Sequence, residues 1–341
     1  MNIMERNLGE LPPVAYPDMS KEERDLLAMD LTDRSGPHLI AAACAPGDAA
    51  QWMAKNRGQV LDMVGARGWA LVRGLGIGNP GDFRKCIEEL GLPLVDEYGD
   101  LPMMPSDDGT SGVFNVTKYP AKNAILFHNE GSHTTQPPRN IFFQCSIAAE
   151  CDGETPLADS AAVLQALPGH IAQAFATRGL LYKRNFIDGL DVSWQQYFNL
   201  SSREELEALC ASQGINVIWR ADGGLSTETL RPAVIRHAGS GKDVFFNQIL
   251  LHHPAALDPK VRKALQGMLK DGQGFPRDVC FGDGGTIPDD WVAEVLRAHI
   301  RVAATFAWQP GDVVVVDNYA VSHARRPFKG PRQHHVVLGQ T

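Results

Sequence analysis

The sequence predicts a mainly β protein with helical insertions: a double-stranded β-helix, or jelly-roll, core wrapped by α-helices. Two observations favour this class. Short strand-like runs stand on both sides of helical stretches, and strands and helices do not alternate as they do in βαβ proteins. The chain also lacks a glycine-rich phosphate loop, and no linker-like segment divides it. A single sheet-based core therefore fits the pattern best.

The composition is that of an ordinary globular protein. Of 341 residues, 44% are hydrophobic and 21% are charged. The net charge is −8 and no basic block is present, which argues against nucleic acid or an anionic membrane surface as partner. No apolar run approaches the ~20 residues of a membrane span, and no signal peptide is evident. Six scattered cysteines without a Cys-x-x-Cys pair predict reduced thiols and a cytoplasmic location. The sequence does not indicate an oligomeric state.

The first half of the chain is predicted to mix strands with three helices. An extended lead-in over 10–20 precedes a short helix from residue 21, and amphipathic patterns predict helices over 51–64 and 82–90. Strands are predicted over 69–74, 112–118, 124–128 and 140–146. Residues 101–110 are rich in Pro, Asp, Gly and Met, which is compatible with a lid over a pocket or with a disordered surface loop.

The second half continues with one helix predicted over 160–178 and another over 202–210, where a capping box begins the helix. Strands follow over 216–220, 233–237 and 243–247, and a helix starts after Asp258-Pro259. A last helix over 289–304 precedes the apolar run Val313–Val316, which reads as a buried strand. We therefore expect residues 1–60 to form an extension that packs on one domain over 61–341. That domain would carry a helical insertion around 160–212 and a lid around 101–111.

The most informative stretch ends the strand predicted over 124–128. Side chains two apart on a strand point to the same side, so His128 and Glu130 should face together while Asn129 faces away. Gly131 then allows the backbone to turn. His323, after the valine strand, would supply a third ligand, and two histidines with one carboxylate form the facial triad of non-haem Fe(II) sites.

This pattern is weak by itself, because 11 histidines and 40 acids give roughly one His-x-acid match by chance in 341 residues. A histidine that simply packs in the core is an equally good interpretation of the triplet alone. Two other short segments strengthen the metal-site interpretation. One is a hydroxyl-bearing turn over 153–159, and the other is the long segment 317–332 that contains His323.

Taken together, these segments resemble the taurine dioxygenase and clavaminate synthase-like superfamily of Fe(II)/2-oxoglutarate oxygenases. The resemblance covers about residues 68–339 and is strongest to the branch that resembles the syringomycin aspartate hydroxylase. Its minor landmarks are Arg184-Asn185, Arg231-Pro232, Phe246-Asn247-Gln248 and Phe281-Gly282-Asp283-Gly284.

The resemblance implies a role for five residues. His128, Glu130 and His323 match the iron ligands. Arg332 matches the arginine that receives the distal carboxylate of 2-oxoglutarate, and Thr155 matches the hydroxyl that shares it. The guanidinium of arginine is planar and permanently charged, and it can donate two parallel hydrogen bonds to a carboxylate. It therefore suits a carboxylate better than the ammonium group of lysine does. The implied cofactor is Fe(II), with 2-oxoglutarate and O₂ as cosubstrates.

The chain departs from its relatives at two places, where substrate contacts are expected to differ. Ala324 replaces a glycine after the distal histidine, and His133 stands where an aromatic residue is expected. The candidates for contact with substrate are therefore His133 and its neighbour Asn129, together with Asn247, Arg325 and Arg326. Surface or core roles remain open for the arginines and for Asn247. The adjacent pairs His252-His253 and His334-His335 are interpreted as packing or loop residues, because neighbours on a strand face opposite ways.

The expected activity is hydroxylation of an unactivated C–H bond in a small polar substrate. An amino acid, free or bound to a peptidyl carrier protein, in secondary metabolism fits the resembling branch. The alternatives are a desaturase or cyclase using the same chemistry, and a dioxygenase of sulfonates or small carboxylates. A zinc hydrolase and an inactive binding protein belong to different classes, and Arg332 with Thr155 argues against the hydrolase.

Overall fold

The computed structural model describes residues 18–340 except 31, 46, 97–103, 107, 117–118, 188, 222 and 271–272. Most of the extended lead-in predicted over 10–20 and much of the proposed lid around 101–111 lie outside these residues. Among the described helices, none combines the length and the apolar character that a bilayer crossing requires.

The strands and helices follow one another along the whole described chain. The strands are β1 Leu39–Ala41, β2 Trp69–Arg73, β3 Leu94–Val95, β4 Met104–Pro105, β5 Phe114–Asn115, β6 Ile125–His128, β7 Asn140–Ile147, β8 Cys151–Asp152, β9 Leu157–Asp159, β10 Leu180–Asn185, β11 Asn216–Trp219, β12 Leu225–Arg231, β13 Val234–Arg236, β14 Asp243–Phe245, β15 Arg277–Phe281, β16 Val313–Asp317, β17 Val321–Arg325, β18 Phe328–Lys329 and β19 Gln333–Gly339. The α-helices are α1 Lys21–Arg24, α2 Ala49–Arg67, α3 Pro80–Glu88, α4 Ser160–Ala166, α5 Gly169–Arg178, α6 Trp194–Phe198, α7 Arg203–Ser212, α8 Ile249–His252, α9 Pro259–Met268 and α10 Asp289–Val302.

An eight-stranded sheet forms the centre of the molecule. Its strand order is β1-β2-β16-β7-β19-β5-β4, with β3 added beside β19. Only the β1–β2 pairing is parallel among the described pairings of this sheet. The long strands at its centre come from both ends of the described chain, so the sheet brings distant segments together.

The valine strand β16 shows why an unbroken apolar run is needed here. Val313 and Val315 pack with helices α2 and α3 on one face of the sheet. Val314 and Val316 pack on the other face against Leu157 of the short strand β9. All four valines are fully buried because both faces of the strand are covered.

A three-stranded sheet, in the order β6-β17-β9, lies opposite the inner face of the large sheet. Its own outer face, which includes Phe127, Ala158 and Ala324, packs with helices of the core cluster that contains α10. The molecule thus has a layered arrangement of helices, large sheet, small sheet and helices, a mainly β core wrapped by helices as predicted. The side chains of His128 and His323 belong to the small sheet.

The remaining sheets lie beside this core. A four-stranded sheet has the order β11-β12-β10-β15, and two-stranded pairs join β13 with β14 and β18 with β8. Strand β10 lies inside the region 160–212, where helices α4 to α7 are also found. The single helix predicted over 160–178 is wrong, because it breaks into α4 and α5 at Leu167-Pro168. Proline disfavours helical geometry in the residue before it, which explains the break.

Candidate active site

The two candidate histidines face one another across neighbouring strands. His128 ends β6 and His323 lies within β17, and the antiparallel register pairs them directly. Their ring centroids are 4.2 Å apart. The register shifts between His323 and Arg325, so β17 carries an irregularity just after its histidine.

Glu130 completes a compact group of donors. Ligand atoms from His128, Glu130 and His323 all lie within 4.8 Å of one another. His128 Nε2 is 3.6 Å from Glu130 Oε2, a separation that suits two ligands of one ion. The strand period had predicted that His128 and Glu130 share a face, and they converge in the structure.

The protein orients both imidazoles for binding a metal. His128 Nδ1 lies 2.8 Å from the carbonyl oxygen of Leu126, so this nitrogen carries the proton and Nε2 keeps a free lone pair. Burial, followed by the proximity of His128, holds the pKa of His323 well below its ordinary value. The His323 ring is therefore held in the neutral form that coordinates metals.

Two buried side-chain amides fix the turn that carries Glu130. The side chain of Asn318 accepts from the Glu130 N–H at 2.8 Å and donates to the Glu130 carbonyl at 2.9 Å. The Asn129 amide donates to the Asn318 carbonyl at 2.7 Å and accepts from the backbone N–H of Asn247 at 3.2 Å. Asn129 and Asn247 were suggested by the sequence as substrate contacts, but the Asn129 side chain holds backbone and the Asn247 side chain accepts from the Ile249 N–H at 3.2 Å. Neither residue lines the cavity described next.

The donor group lies at the wall of a cavity of about 870 Å³ between the two facing sheets. Phe143, His334 and Val336 line it from the large sheet, and His128 and His323 line it from the small one. Helix α8 and the residues that follow it form a further side. This volume is enough for two small molecules or for one extended molecule.

Arg332 enters the same cavity as a cation without an internal carboxylate partner. Its Nε donates to the carbonyl of Gly153 at 3.1 Å, and no ion pair joins it to an acidic side chain within the described part of the chain. Burial, and then the charge of Arg325, lower its pKa to about 10, so the guanidinium stays charged at neutral pH. Gly153 lies so close that a Cβ there would meet Arg332 Cδ at 3.3 Å and Phe328 Cβ at 2.9 Å.

Thr155 is a second polar group in the wall, and it is only 5% exposed. Its hydroxyl oxygen accepts a hydrogen bond from the indole Nε1 of Trp308 at 3.1 Å. The indole thereby orients the hydroxyl and leaves the Thr155 proton available for an acceptor in the cavity.

The other two candidate arginines have partners inside the protein. The guanidinium of Arg325 lines the cavity but donates to the carbonyls of Tyr119, Pro120 and Asn123 at 2.6–3.0 Å. Arg326 does not line the cavity, and it pairs with Asp152 and Glu154 at 3.2 and 3.0 Å. Arg325 thus secures the segment at the cavity edge, and Arg326 joins the turn that contains Thr155.

His133, the last candidate, does lie in the cavity wall. It forms a three-ring cluster with Tyr182 and His252, whose centroids are 5.1–6.0 Å apart. His133 therefore occupies a place where an aromatic ring would fit, consistent with the position at which the resemblance expected one.

Several lining residues were not predicted from the sequence to be site residues. They include Arg184, Gln248, Arg277 and His334, together with Lys21 and Arg24 of the N-terminal segment. Arg184 and Gln248 could have been found, because both belong to landmarks of the resembling family, and His334 was noted only as a packing or loop residue. The rest carry no local signal, since only long-range packing places them at the cavity.

Comparison with known proteins identifies the family. The profile of the taurine catabolism dioxygenase TauD, TfdA family matches residues 32–338. The dapdiamide synthesis protein DdaC of Enterobacter agglomerans is 33% identical over 302 residues, covering 89% of this chain and 91% of the relative. A clavaminate synthase-like protein of Arabidopsis thaliana is 29% identical, with 82% and 84% covered.

Solved structures agree with the fold at low identity. The PvcB protein of Pseudomonas aeruginosa aligns with a TM-score of 0.51 at 14% identity, covering 88% of this chain and 84% of that protein. The family match and the donor group both indicate Fe(II) as the cofactor, with 2-oxoglutarate and O₂ as cosubstrates. The chain belongs to the TauD/TfdA family and is an Fe(II)/2-oxoglutarate-dependent dioxygenase.

Proposed function

We propose that this dioxygenase hydroxylates an unactivated C–H bond of a small polar substrate, an amino acid either free or bound to a carrier protein, in a biosynthetic pathway. The observation that carries the proposal is the joint placement of two groups in one cavity. The His128, Glu130 and His323 donors lie within 4.8 Å of one another, and the same cavity is lined by Thr155 and by Arg332, which has no acidic partner among the described residues.

The residues present fit an iron ion. Two imidazoles and one carboxylate on neighbouring backbone segments leave the opposite side of the site open to the cavity. Iron bound there supplies the chemistry that couples O₂ and 2-oxoglutarate to oxidation of a C–H bond. The small sheet β6-β17-β9 and the turn after β6 hold these donors, and we assign this sheet and the large sheet facing it to the two halves of a jelly roll.

Arg332 and Thr155 position the cosubstrate. The charged fork of Arg332 suits the distal carboxylate of 2-oxoglutarate, and burial strengthens the attraction between the two charges. The Thr155 hydroxyl donates its proton to the same carboxylate because Trp308 occupies its acceptor side. These contacts place the other end of the cosubstrate beside His128, Glu130 and His323.

The charge of the cavity wall favours a substrate with an anionic group. Seven basic residues and three acidic ones line the cavity in the described part of the chain. Arg184 and Arg277 lie directly opposite one another on β10 and β15, where like charges repel. Arg184 is already paired with Asp191 at 3.0 Å. A substrate carboxylate between Arg277 and Arg184 would relieve the repulsion, as expected for an amino acid.

The relatives and the thiols support the biological setting. DdaC is named for dapdiamide synthesis, which makes a biosynthetic role the better choice over sulfonate catabolism. The cavity is large enough for 2-oxoglutarate and the end of a carrier-bound substrate together. All six cysteines are unpaired, in keeping with the cytoplasm.

The test is succinate release from 2-oxoglutarate with a panel of free and carrier-bound amino acids, under Fe(II) and O₂. We expect release to depend on both and to rise strongly with one class of amino acid. His128→Ala or His323→Ala should abolish it while the fold is retained. If neither the panel nor sulfonates and small carboxylates gave succinate, the result would indicate a binding protein without catalytic activity. Metal-dependent hydrolysis without 2-oxoglutarate would indicate a zinc hydrolase.

The product distinguishes the possible outcomes of the oxidation. With ¹⁸O₂ in chloride buffer, we expect one labelled oxygen in the product, because the Glu130 carboxylate fills the position that a halide would need. A product that is two hydrogens lighter than the substrate and carries no label would indicate desaturation or cyclisation instead of hydroxylation. A chlorinated product would remove Glu130 from the ligand set.

A further inference from the structure

His334 is a buried imidazole that the proposed mechanism leaves unused. It is 2% exposed and it lines the cavity. Neither Nδ1 nor Nε2 has a hydrogen-bond partner among the described residues. A buried polar ring with both nitrogens unpaired is unusual in a folded protein, because the loss of water is then uncompensated. Such a ring at a cavity wall is expected to bind whatever occupies the cavity.

The neighbours of His334 are the residues proposed to hold 2-oxoglutarate. Its ring packs edge-on against Trp308, with centroids 4.7 Å apart, and the Trp308 indole donates to Thr155. Arg332 is two residues away along the chain, lines the same cavity, and interacts electrostatically with the ring. His334, Arg332 and Thr155 thus converge on one end of the cavity, where all three present N–H or O–H groups.

The adjacent histidine shows that this placement is specific. His335 turns to the other side of β19, where its Nδ1 lies 3.0 Å from Gln144 Oε1 and 3.1 Å from Ser146 Oγ. His335 does not line the cavity. Two neighbouring histidines of the same strand therefore have opposite surroundings, one satisfied by the protein and one not.

A carboxylate can use what these three residues offer. Its two oxygens present about four acceptor sites, of which the Arg332 fork takes two and the Thr155 hydroxyl takes one. One acceptor site remains, and a neutral imidazole has one N–H to give. The other charged groups acting on this end are Arg325 and Glu154, both of which have protein partners.

We propose that His334 is a third donor to the distal carboxylate of 2-oxoglutarate, acting with Arg332 and Thr155, and that it contributes to the choice of 2-oxoglutarate over 2-oxo acids that lack this carboxylate. The inference rests on the proposed function, because it requires 2-oxoglutarate to bind at Arg332. It gives His334 a binding role in a segment where the sequence predicted packing alone.

The test measures binding without turnover. Protein loaded with Mn(II) is titrated with 2-oxoglutarate under argon, and the dissociation constant is read by calorimetry and by the change in tryptophan fluorescence that Trp308 should report. His334→Phe keeps a flat ring against Trp308 but removes the N–H, and we expect the dissociation constant to rise about 10- to 100-fold. His334→Gln, which keeps a donor, should stay within a few-fold of the wild type. His335→Gln, the matched control, should show no change.

A second ligand separates recognition from structural damage. 2-Oxobutyrate lacks the distal carboxylate, so its weak binding should be equal in the wild type and in His334→Phe. Equal loss for both acids would show a structural role and overturn the inference, as would an unchanged constant for 2-oxoglutarate in a folded His334→Phe protein. If this variant does not fold, His334→Leu is tested in its place. Failure of the proposed function looks different, since then Mn(II)-loaded wild-type protein would show no specific 2-oxoglutarate binding, or Arg332→Leu would bind 2-oxoglutarate as tightly as the wild type.

Discussion

Arg332 is a buried charge whose carboxylate partner is expected to come from outside the protein. Replacing it with Leu should raise the KM for 2-oxoglutarate by 100-fold or more, since about 3 kcal/mol of charged hydrogen bonding is lost. Arg332→Lys should recover only part of this, because one ammonium cannot reproduce the fork. The measurement is initial rate of succinate formation against 2-oxoglutarate concentration. The exposed Lys329→Leu is the control. An unchanged KM in both Arg332 variants would transfer the role to Arg325, which also lines the cavity.

Asn318 is the residue that fixes Glu130 without facing the cavity. Its amide makes both hydrogen bonds to the Glu130 backbone and a third, at 2.8 Å, to the carbonyl of Pro138. Asn318→Ala should therefore weaken Mn(II) affinity about 10- to 100-fold by releasing the carboxylate from its position. Calorimetric titration with Mn(II) measures this effect. Ser322→Ala, which removes one weak 3.4 Å bond beside His323, should have little effect. Equal affinities in Asn318→Ala and the wild type would contradict the account.

At the residue scale, the sequence predicted the positions that a strand period or a family motif marks. The alternation of β6 predicted that His128 and Glu130 would converge, and the resemblance singled out Thr155 and Arg332. The sequence could not distinguish His334 from histidines that have hydrogen-bond partners, because the three-dimensional surroundings of the ring decide whether it has any. Asn129 was correctly expected to point away from Glu130, yet its bonds to distant backbone could not be foreseen.

At the scale of elements, the segment 18–30 contributes to the cavity although it precedes the family match at residue 32. Met19, Leu26 and Met29 anchor it in the core, and Lys21, Arg24 and Asp25 line the cavity. Glu23 pairs with Arg297 of α10 at 2.7 Å, which fixes the segment to the helix.

Breaking this pair should affect the substrate and spare the cosubstrate. Arg297→Met keeps an aliphatic chain but removes the charge, at a cost of about 1–2 kcal/mol in docking the segment. We expect the KM for substrate to rise several-fold while the KM for 2-oxoglutarate is unchanged. The control is Glu22→Gln, at an exposed position of helix α1 next to Glu23. Both of its KM values should match those of the wild type. If the KM values for substrate and for 2-oxoglutarate rose together, segment 18–30 would instead affect both binding regions of the cavity.

Elements were predictable where their own residues determine them. The strands over 140–147 and 313–317 are long apolar runs, and the sequence found both. Strand β17, with the sequence Val-Ser-His-Ala-Arg, has no apolar alternation, and its pairing with β6 and β9 makes it a strand. The break between α4 and α5 was visible as Pro168 and was overlooked.

At the scale of the whole molecule, buried neutral histidines make stability depend on pH. Burial lowers the pKa of His299 to about 4, and it does the same for His253. Both groups bind more protons when unfolded, where the pKa is near 6.5, so stability is lost as the pH falls from about 7 to about 4. Each histidine contributes at most about 3 kcal/mol to the free energy of unfolding at neutral pH, and this contribution is fully lost below about pH 4.

The expected result is a urea midpoint that falls between pH 7.5 and pH 5.0 in metal-free protein. His299 stacks on Phe127 with centroids 5.0 Å apart, so His299→Leu can fill the same space and should reduce the dependence on pH. The exposed His170→Gln should leave the dependence as it is. A dependence equally steep in His299→Leu would show that other groups cause the loss.

The direct pairing of His128 with His323 has a consequence for how the enzyme matures. The two ligands are 195 residues apart in sequence but adjacent across β6 and β17. Strand β2 likewise pairs with β16 only after more than 200 further residues have been made. Contacts of such long range form slowly and late in folding. Iron loading must then follow the closure of both sheets, and the metal site is one of the last parts of the molecule to exist.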